Sequence, residues 1–261
     1  MTDLQIALLT KGHPFEREPF FQLFDGLAGV EWTHVEQPAA QCLFDPDNAA
    51  MFDAFVLYDM PGIRFHADRA PDFQEPPARF VEHFDALVDR GFGFVFLHHA
   101  IAGWPAFSRY AEVIGGRFSY LPGTFAGKPV QDSGYRHGVT HDVRKLADHP
   151  VTEGVPESFS MTDELYLFEV LEANVTPLLA SNHTFVDREF FSAAKVVRDQ
   201  EMFSNEGWSH DPGSPLVGWA REIGRSRLVY LQGGDDPVAY ANVHYQRLLA
   251  NAIRWVSERG I

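Results

Sequence analysis

The chain has a single cysteine among 261 residues, Cys42. That excludes an internal disulfide and a cysteine-built zinc site, and it fits a reducing compartment. Cys42 itself reads as a small buried residue in a loop. Basic charge is also scarce: 21 Lys and Arg stand against 36 Asp and Glu, for a formal net charge of −15. No basic cluster could track a phosphate backbone, so nucleic acid is not an expected partner. No apolar run reaches membrane-spanning length, and Met1-Thr2-Asp3-Leu4-Gln5-Ile6 lacks the charged head and long apolar stretch of a signal peptide. A soluble, cytoplasmic protein without membrane contact is expected. There is also no internal repeat, low-complexity tract or interdomain linker, so residues 1–261 are read as one α/β domain.

What is present is an apolar and aromatic core. Residues 91–100, Gly-Phe-Gly-Phe-Val-Phe-Leu-His-His-Ala, form an unbroken apolar run that stops at His98 and His99. A strand this apolar must be covered on both faces, as in the centre of a parallel sheet, and such sheets bind ligands at the carboxyl ends of their strands. Apolar runs at residues 4–9, 30–35 and 53–58 supply further strands. Helical spacing of Phe20, Phe21, Leu23, Phe24 and Leu27, and then of Phe80, Phe84, Leu87 and Val88, supplies covering helices. Residues 38–48 read as loop, and residues 59–77 as a long rim over the strand ends. A helix is expected from Trp104 or Pro105 to Ile114, closed by Gly115-Gly116. Residues 118–143 resist a simple strand–helix reading. Later, residues 159–166 form a strand, residues 216–223 and 227–231 flank a hairpin turn, and residues 242–258 form an amphipathic helix with Leu248, Leu249 and Ile253 on one face.

Five motifs in this order resemble the trehalose-utilisation (ThuA-like) family: Leu97-His98-His99-Ala100, residues 113–118 (Val-Ile-Gly-Gly-Arg-Phe), residues 149–154 (His-Pro-Val-Thr-Glu-Gly), Asp163-Glu164-Leu165-Tyr166 and residues 249–255 (Leu-Ala-Asn-Ala-Ile-Arg-Trp). The resemblance implies the class I glutamine amidotransferase-like fold: a flavodoxin-like three-layer α/β sandwich with a mainly parallel central sheet. It also implies a role in carbohydrate use, through hydrolysis, elimination or isomerisation of a disaccharide or an oxidised (keto) sugar. Cysteine-dependent amide hydrolysis is excluded, because the turn that carries the amidotransferase nucleophile holds His98-His99-Ala100 here. Members often end the late strand in Gly-His-Asp or Gly-His-Glu, whereas this chain has Gly233-Gly234-Asp235.

Polar groups at the strand ends would gather on one edge. His98 or His99 is expected to transfer protons there, assisted by Asp235 and Glu164, with His13, Asp59, Trp104 and Tyr166 binding substrate. Taken alone, Asp163-Glu164 reads as a helix cap or solvated pair, and the resemblance moves it to the site. Both histidines can share one crevice only if the chain turns at His99, and at least one ring should then be open to solvent. Trp104, Tyr110 and Trp208 are candidates for stacking on a sugar, although the spacing of Tyr110 favours the core. No motif calls for a cofactor, yet 12 histidines and many carboxylates leave room for a divalent metal. His137 and His141 lie four apart in strand-like surroundings, where that spacing does not bring them to one ligand face. Small-molecule carbohydrate is the expected partner, with homo-oligomers open. A non-catalytic sugar-binding or scaffold protein of the same fold is the second reading. Cys42→Ser should leave any activity intact, and a folded variant that has lost turnover would show that the site has been misplaced.

Overall fold

The computed structural model describes residues 3–258. Nine strands build the main sheet: β1 (Leu4–Lys11), β2 (Val30–Glu36), β3 (Ala54–Asp59), β4 (Gly93–Leu97), β5 (Gly134–Lys145), β6 (Ser158–Leu167), β7 (Thr176–Ser181), β8 (Leu216–Ile223) and β9 (Ser226–Leu231). Five of them run parallel in the order β9-β4-β3-β1-β2, and an antiparallel extension β6-β5-β7-β8 joins through the β8–β9 hairpin. The short strand Phe191–Ser192 adds to β5. Register pairs Lys11 with Asp59 and Leu231 with Leu97, so the carboxyl ends of the parallel strands share one edge, as expected.

Alternation along the strands feeds two cores. Ile6, Leu8, Val95 and Leu97 face a layer that includes α1 (Arg17–Asp25) and α4 (Val243–Ser257). Ala7, Leu9, Phe94 and Phe96 face α2 (Ala78–Asp89) and α3 (Ser108–Ile114). Gly93 has a specific packing role: a Cβ there would overlap the carbonyl of Val256, so only glycine lets α4 lie this close to the central strand. At the other end of α3, Gly115 takes the left-handed cap that was expected, with φ +93°.

Three expectations are corrected. Residues 38–48 are not loop: a 3-10 helix, Ala39–Phe44, and a helical turn, Pro46–Ala49, follow one another. Phe44 supplies the anchor by packing on Phe55 and Phe80, and the Asp45 carboxylate caps the turn by accepting from the Asp47 amide at 3.1 Å. Cys42 stands exposed on this segment rather than buried. The helix expected from Trp104 starts only at Ser108, because His98–Ala102 forms a 3-10 turn, Gly103 is extended and Trp104 has φ +46°. Residues 118–143 contain a small hairpin, Gly123–Phe125 with Lys128–Val130, and the first part of β5.

Leu249 is fully buried against the sheet. Leu249→Ala should therefore cost on the order of 2–5 kcal/mol, read as a lowered urea midpoint. A loss below about 1 kcal/mol would mean that α4 does not pack through this face.

Candidate active site

The site begins where β4 ends. His98 turns the chain with φ +45°, a left-handed conformation that costs a non-glycine residue on the order of 1–3 kcal/mol and persists only when its surroundings fix it. Here they do. Nδ1 of His98 lies 2.6 Å from the Gln232 carbonyl, which can only accept, so this nitrogen carries a hydrogen. The His98 carbonyl accepts from the Tyr230 hydroxyl at 3.0 Å. Nε2 then faces Glu164 Oε2 at 3.0 Å, the Tyr166 hydroxyl at 2.7 Å and Asp235 Oδ1 at 3.3 Å.

The two carboxylates come from different elements. Glu164 lies on β6 and Asp235 on the loop after β9, and a third acid, Asp163, fastens them together. Its carboxylate accepts from the amides of Gly234 (2.6 Å), Asp235 (3.1 Å) and Glu164 (2.9 Å). Asp163 is therefore neither a helix cap nor a solvated acid, and burial pushes its carboxyl up to about 7 against the pull of the His98 charge and these amides. Gly234 makes the loop fit: φ is +111°, and a Cβ would overlap the Tyr245 hydroxyl. The Gln232 side chain completes the platform by accepting from the Tyr166 amide at 2.9 Å.

On the open side of the carboxylates stands His137. Its Nδ1 lies 3.3 Å from Glu164 Oε1 and 3.7 Å from Asp235 Oδ2, with its side chain 46% exposed. Asp235, and to a lesser degree the charge on Glu164, raises the His137 pKa against partial desolvation. Burial opposes the charge on His98, but Asp235 and Glu164 outweigh it and hold the imidazolium well above its usual range. Partial burial likewise works against ionised Asp235, and the two histidines more than offset it. His137 and Glu164 line the floor of a solvent-open cleft of about 190 Å³, whose other walls include Phe118, Tyr120, Tyr135, Tyr166, Val196 and Met202.

The structure thus brings together His98, Glu164, Asp235 and Tyr166, and it sets His13 on the cleft wall, where burial and the nearby His98 charge lower its pKa. Other expectations need correction. Both histidine rings of the turn are sealed, with His98 0% and His99 1% exposed, because the 3-10 turn folds them beneath the cleft floor. The His99 Nε2 faces the Tyr58 carbonyl at 3.1 Å and its ring packs on His13 and Tyr58, so it has no link to the carboxylates. Asp59 is one strand step from Tyr58 and points to the opposite face, where it accepts from the Gln37 amide at 2.7 Å. Trp104 is buried against Phe80 and Trp208 donates to Asp132 at 3.0 Å outside the cleft lining, while Tyr110 is core, as its spacing favoured.

His137 is the site residue that sequence reasoning missed, whereas Asp163 was moved to the site with Glu164 by the family resemblance. The β5–β6 register breaks between Arg136 and Val139, and Gly138 has φ +63°, which is a bulge that re-aims His137 out of the ladder. A lone glycine inside a strand-like stretch, Tyr135-Arg136-His137-Gly138-Val139, was the available signal. His141, four residues on, is buried with Nδ1 on the Ser181 hydroxyl at 2.8 Å, so the pair does not share a site.

The sequence profile described as Trehalose utilisation matches residues 27–256. No curated protein matches the sequence. Among solved structures, a ThuA-like protein from Parabacteroides merdae superposes with a TM-score of 0.67 at 15% identity, covering 98% of this chain and 91% of that one. Another from Bacteroides uniformis gives 0.63 at 14% identity, covering 98% and 92%. A cytoplasmic protein from Salmonella typhimurium gives 0.58 at 11% identity, covering 97% and 98%. At these identities the likeness concerns the fold. Among the described residues no helix is long and apolar enough to cross a membrane.

Asp59 gives a pH test of the corrected placement. Burial pushes its carboxyl up to about 6 against the stabilising Gln37 hydrogen bond. A folded-state pKa above the unfolded value means that stability is fully present below about pH 4 and is lost as pH rises through about 6, on the order of 3 kcal/mol in all. Asp59→Asn should remove that loss and be more stable than the parent at pH 8 but not at pH 4, by urea unfolding. Equal stability of the two proteins at pH 8 would place Asp59 in a solvated setting.

Proposed function

The chain belongs to the trehalose-utilisation family, and from that premise we propose that it is an enzyme of carbohydrate utilisation acting on a disaccharide or its oxidised (keto) derivative by proton transfer in this cleft. The observation that carries the reading is the orientation of His137. Carboxylates only accept, so the Glu164 and Asp235 oxygens facing Nδ1 fix a hydrogen there and leave Nε2 to exchange a proton with substrate. With a keto sugar bound, His137 removes a proton from the carbon next to the carbonyl, and the electron pair of that C–H bond passes to the carbonyl oxygen as an enolate. Where that carbon bears a hydroxyl, transfer of the hydroxyl proton to the enolate oxygen, followed by return of the carbon-bound proton to the former carbonyl carbon, isomerises the sugar. Expulsion of a β-linked oxygen, which leaves with a proton, is elimination. The aromatic walls suit the apolar face of a pyranose, and the cleft is open to solvent on the side of His137. His98 does not reach substrate in this scheme; it is a positioning residue beneath Glu164 and Asp235. The compartment proposed is the cytoplasm.

The sealed rings of His98 and His99 favour a second reading, a sugar-binding protein of the same fold without turnover. A screen of plain and oxidised disaccharides for both turnover and thermal shift separates the two. Turnover that falls by roughly 10²–10⁴-fold in His137→Gln, with the circular dichroism spectrum unchanged, is the expected result. Thermal shift without turnover in the parent protein would establish the binding reading instead.

A further inference from the structure

The inner side of the same cluster has a feature that proton transfer by His137 does not use. His98 Nε2 can carry at most one hydrogen, yet three oxygens crowd it: Tyr166 at 2.7 Å, Glu164 Oε2 at 3.0 Å and Asp235 Oδ1 at 3.3 Å. One N–H cannot point at all three. Two of these oxygens belong to carboxylates, and the ligating atoms of His98, Glu164 and Asp235 all lie within 4.8 Å of one another.

We propose that His98 Nε2, Glu164 Oε2 and Asp235 Oδ1 bind one divalent transition cation of the zinc class, with its remaining position open to the cleft. Three further features fit. A tetrahedral ion with bonds of about 2.0–2.2 Å sets its donors about 3.3–3.6 Å apart, close to the 3.0 and 3.3 Å seen from Nε2 to the two carboxylates. The other ring nitrogen of His98 donates to the Gln232 carbonyl, the outer contact that fixes the tautomer and aims Nε2 as a metal ligand. One imidazole with two carboxylates suits zinc, manganese or iron(II) better than calcium or magnesium, which prefer oxygen alone. The assignment leaves the outer oxygens, Glu164 Oε1 and Asp235 Oδ2, to hold His137, so metal binding and proton transfer use opposite sides of the same two carboxylates. Glu164 lines the cleft, which gives the ion a route in and a sugar oxygen a route to it.

This inference rests on reading the cleft as an active site, but its test does not require turnover. The full chain, stripped with chelator, would be titrated with cobalt(II) and followed by the visible absorption of a four-coordinate ion, then with zinc to displace it. One equivalent per chain is expected. Glu164→Gln and Asp235→Asn should each weaken binding by more than the roughly 10–100-fold that loss of an outer-shell partner costs, while His137→Gln keeps the site. Near-ultraviolet circular dichroism confirms that each variant is folded, and Asp235→Asn, with its partly exposed side chain, keeps the test available if Glu164→Gln is not. Parental affinity in the folded carboxylate variants, or no cation taken up by the parent chain, overturns the proposal. A chain that turns over sugar without binding a cation would leave the proton-transfer reading standing and remove the metal site. One equivalent bound by a chain without turnover would do the reverse.

Discussion

Acidic groups do not gather in a protein interior unless something holds them there, and in this fold the constraint is the Asp163 carboxylate. Nearly inaccessible to solvent, it gathers three backbone amides from two elements that are far apart in sequence, those of Glu164 on β6 and of Gly234 and Asp235 after β9. Hydrogen bonds to a charged acceptor are worth more than neutral ones, and a buried acid left without them would carry its full desolvation cost. The geometry of Glu164 and Asp235 depends on this, and so does the conformation of His98, whose ring is held from below by Gln232 and from above by the two carboxylates. The left-handed turn at His98 is the strain that this network supports.

The antiparallel extension has a matching role. The parallel strands alone would place Lys11, Asp59, His98 and Asp235 along one edge, as a doubly wound sheet does. What converts that edge into a cleft is β5 and β6, which bring Glu164, Tyr166 and the bulged His137 from the side. The three layers supply position, and the added strands supply His137 and Glu164 in the cleft floor and two of its four aromatic walls, Tyr135 and Tyr166.

Much of this was legible in the amino-acid sequence, for reasons specific to each element. Strands buried on both faces, such as β3 and β4, announce themselves as apolar runs, and α2 and α4 show their buried faces at helical spacing. Glu164 and Tyr166 were identified with the aid of family resemblance, and His98 and Asp235 from their places at strand ends. Asp59 was misplaced because strand ends locate a residue along the sheet without saying which face it takes. His99 was misplaced because a 3-10 turn rotates successive side chains away from the alternation of a strand. His137 escaped because a bulge is a two-strand property, visible only once β5 is paired with β6. The 39–44 helix escaped because its stability comes from Phe44 in a remote aromatic cluster rather than from its own sequence.

The α4 helix touches glycine near both of its ends. Its Val256 carbonyl rests on Gly93 at the start of the central strand, and its Tyr245 hydroxyl rests on Gly234 in the loop that carries Asp235. Eleven residues separate the two contacts, about 16 Å at helical rise. Because neither glycine has a side chain to yield, the helix works as a rigid spacer between the bottom of the sheet and the acidic loop at its top. A bulkier residue at position 93 would displace α4 as a body, and its effect would appear at Asp235, at the opposite end of the sheet from the substitution. Sequence drift at the foot of the central strand is thereby tied to the chemistry at its head.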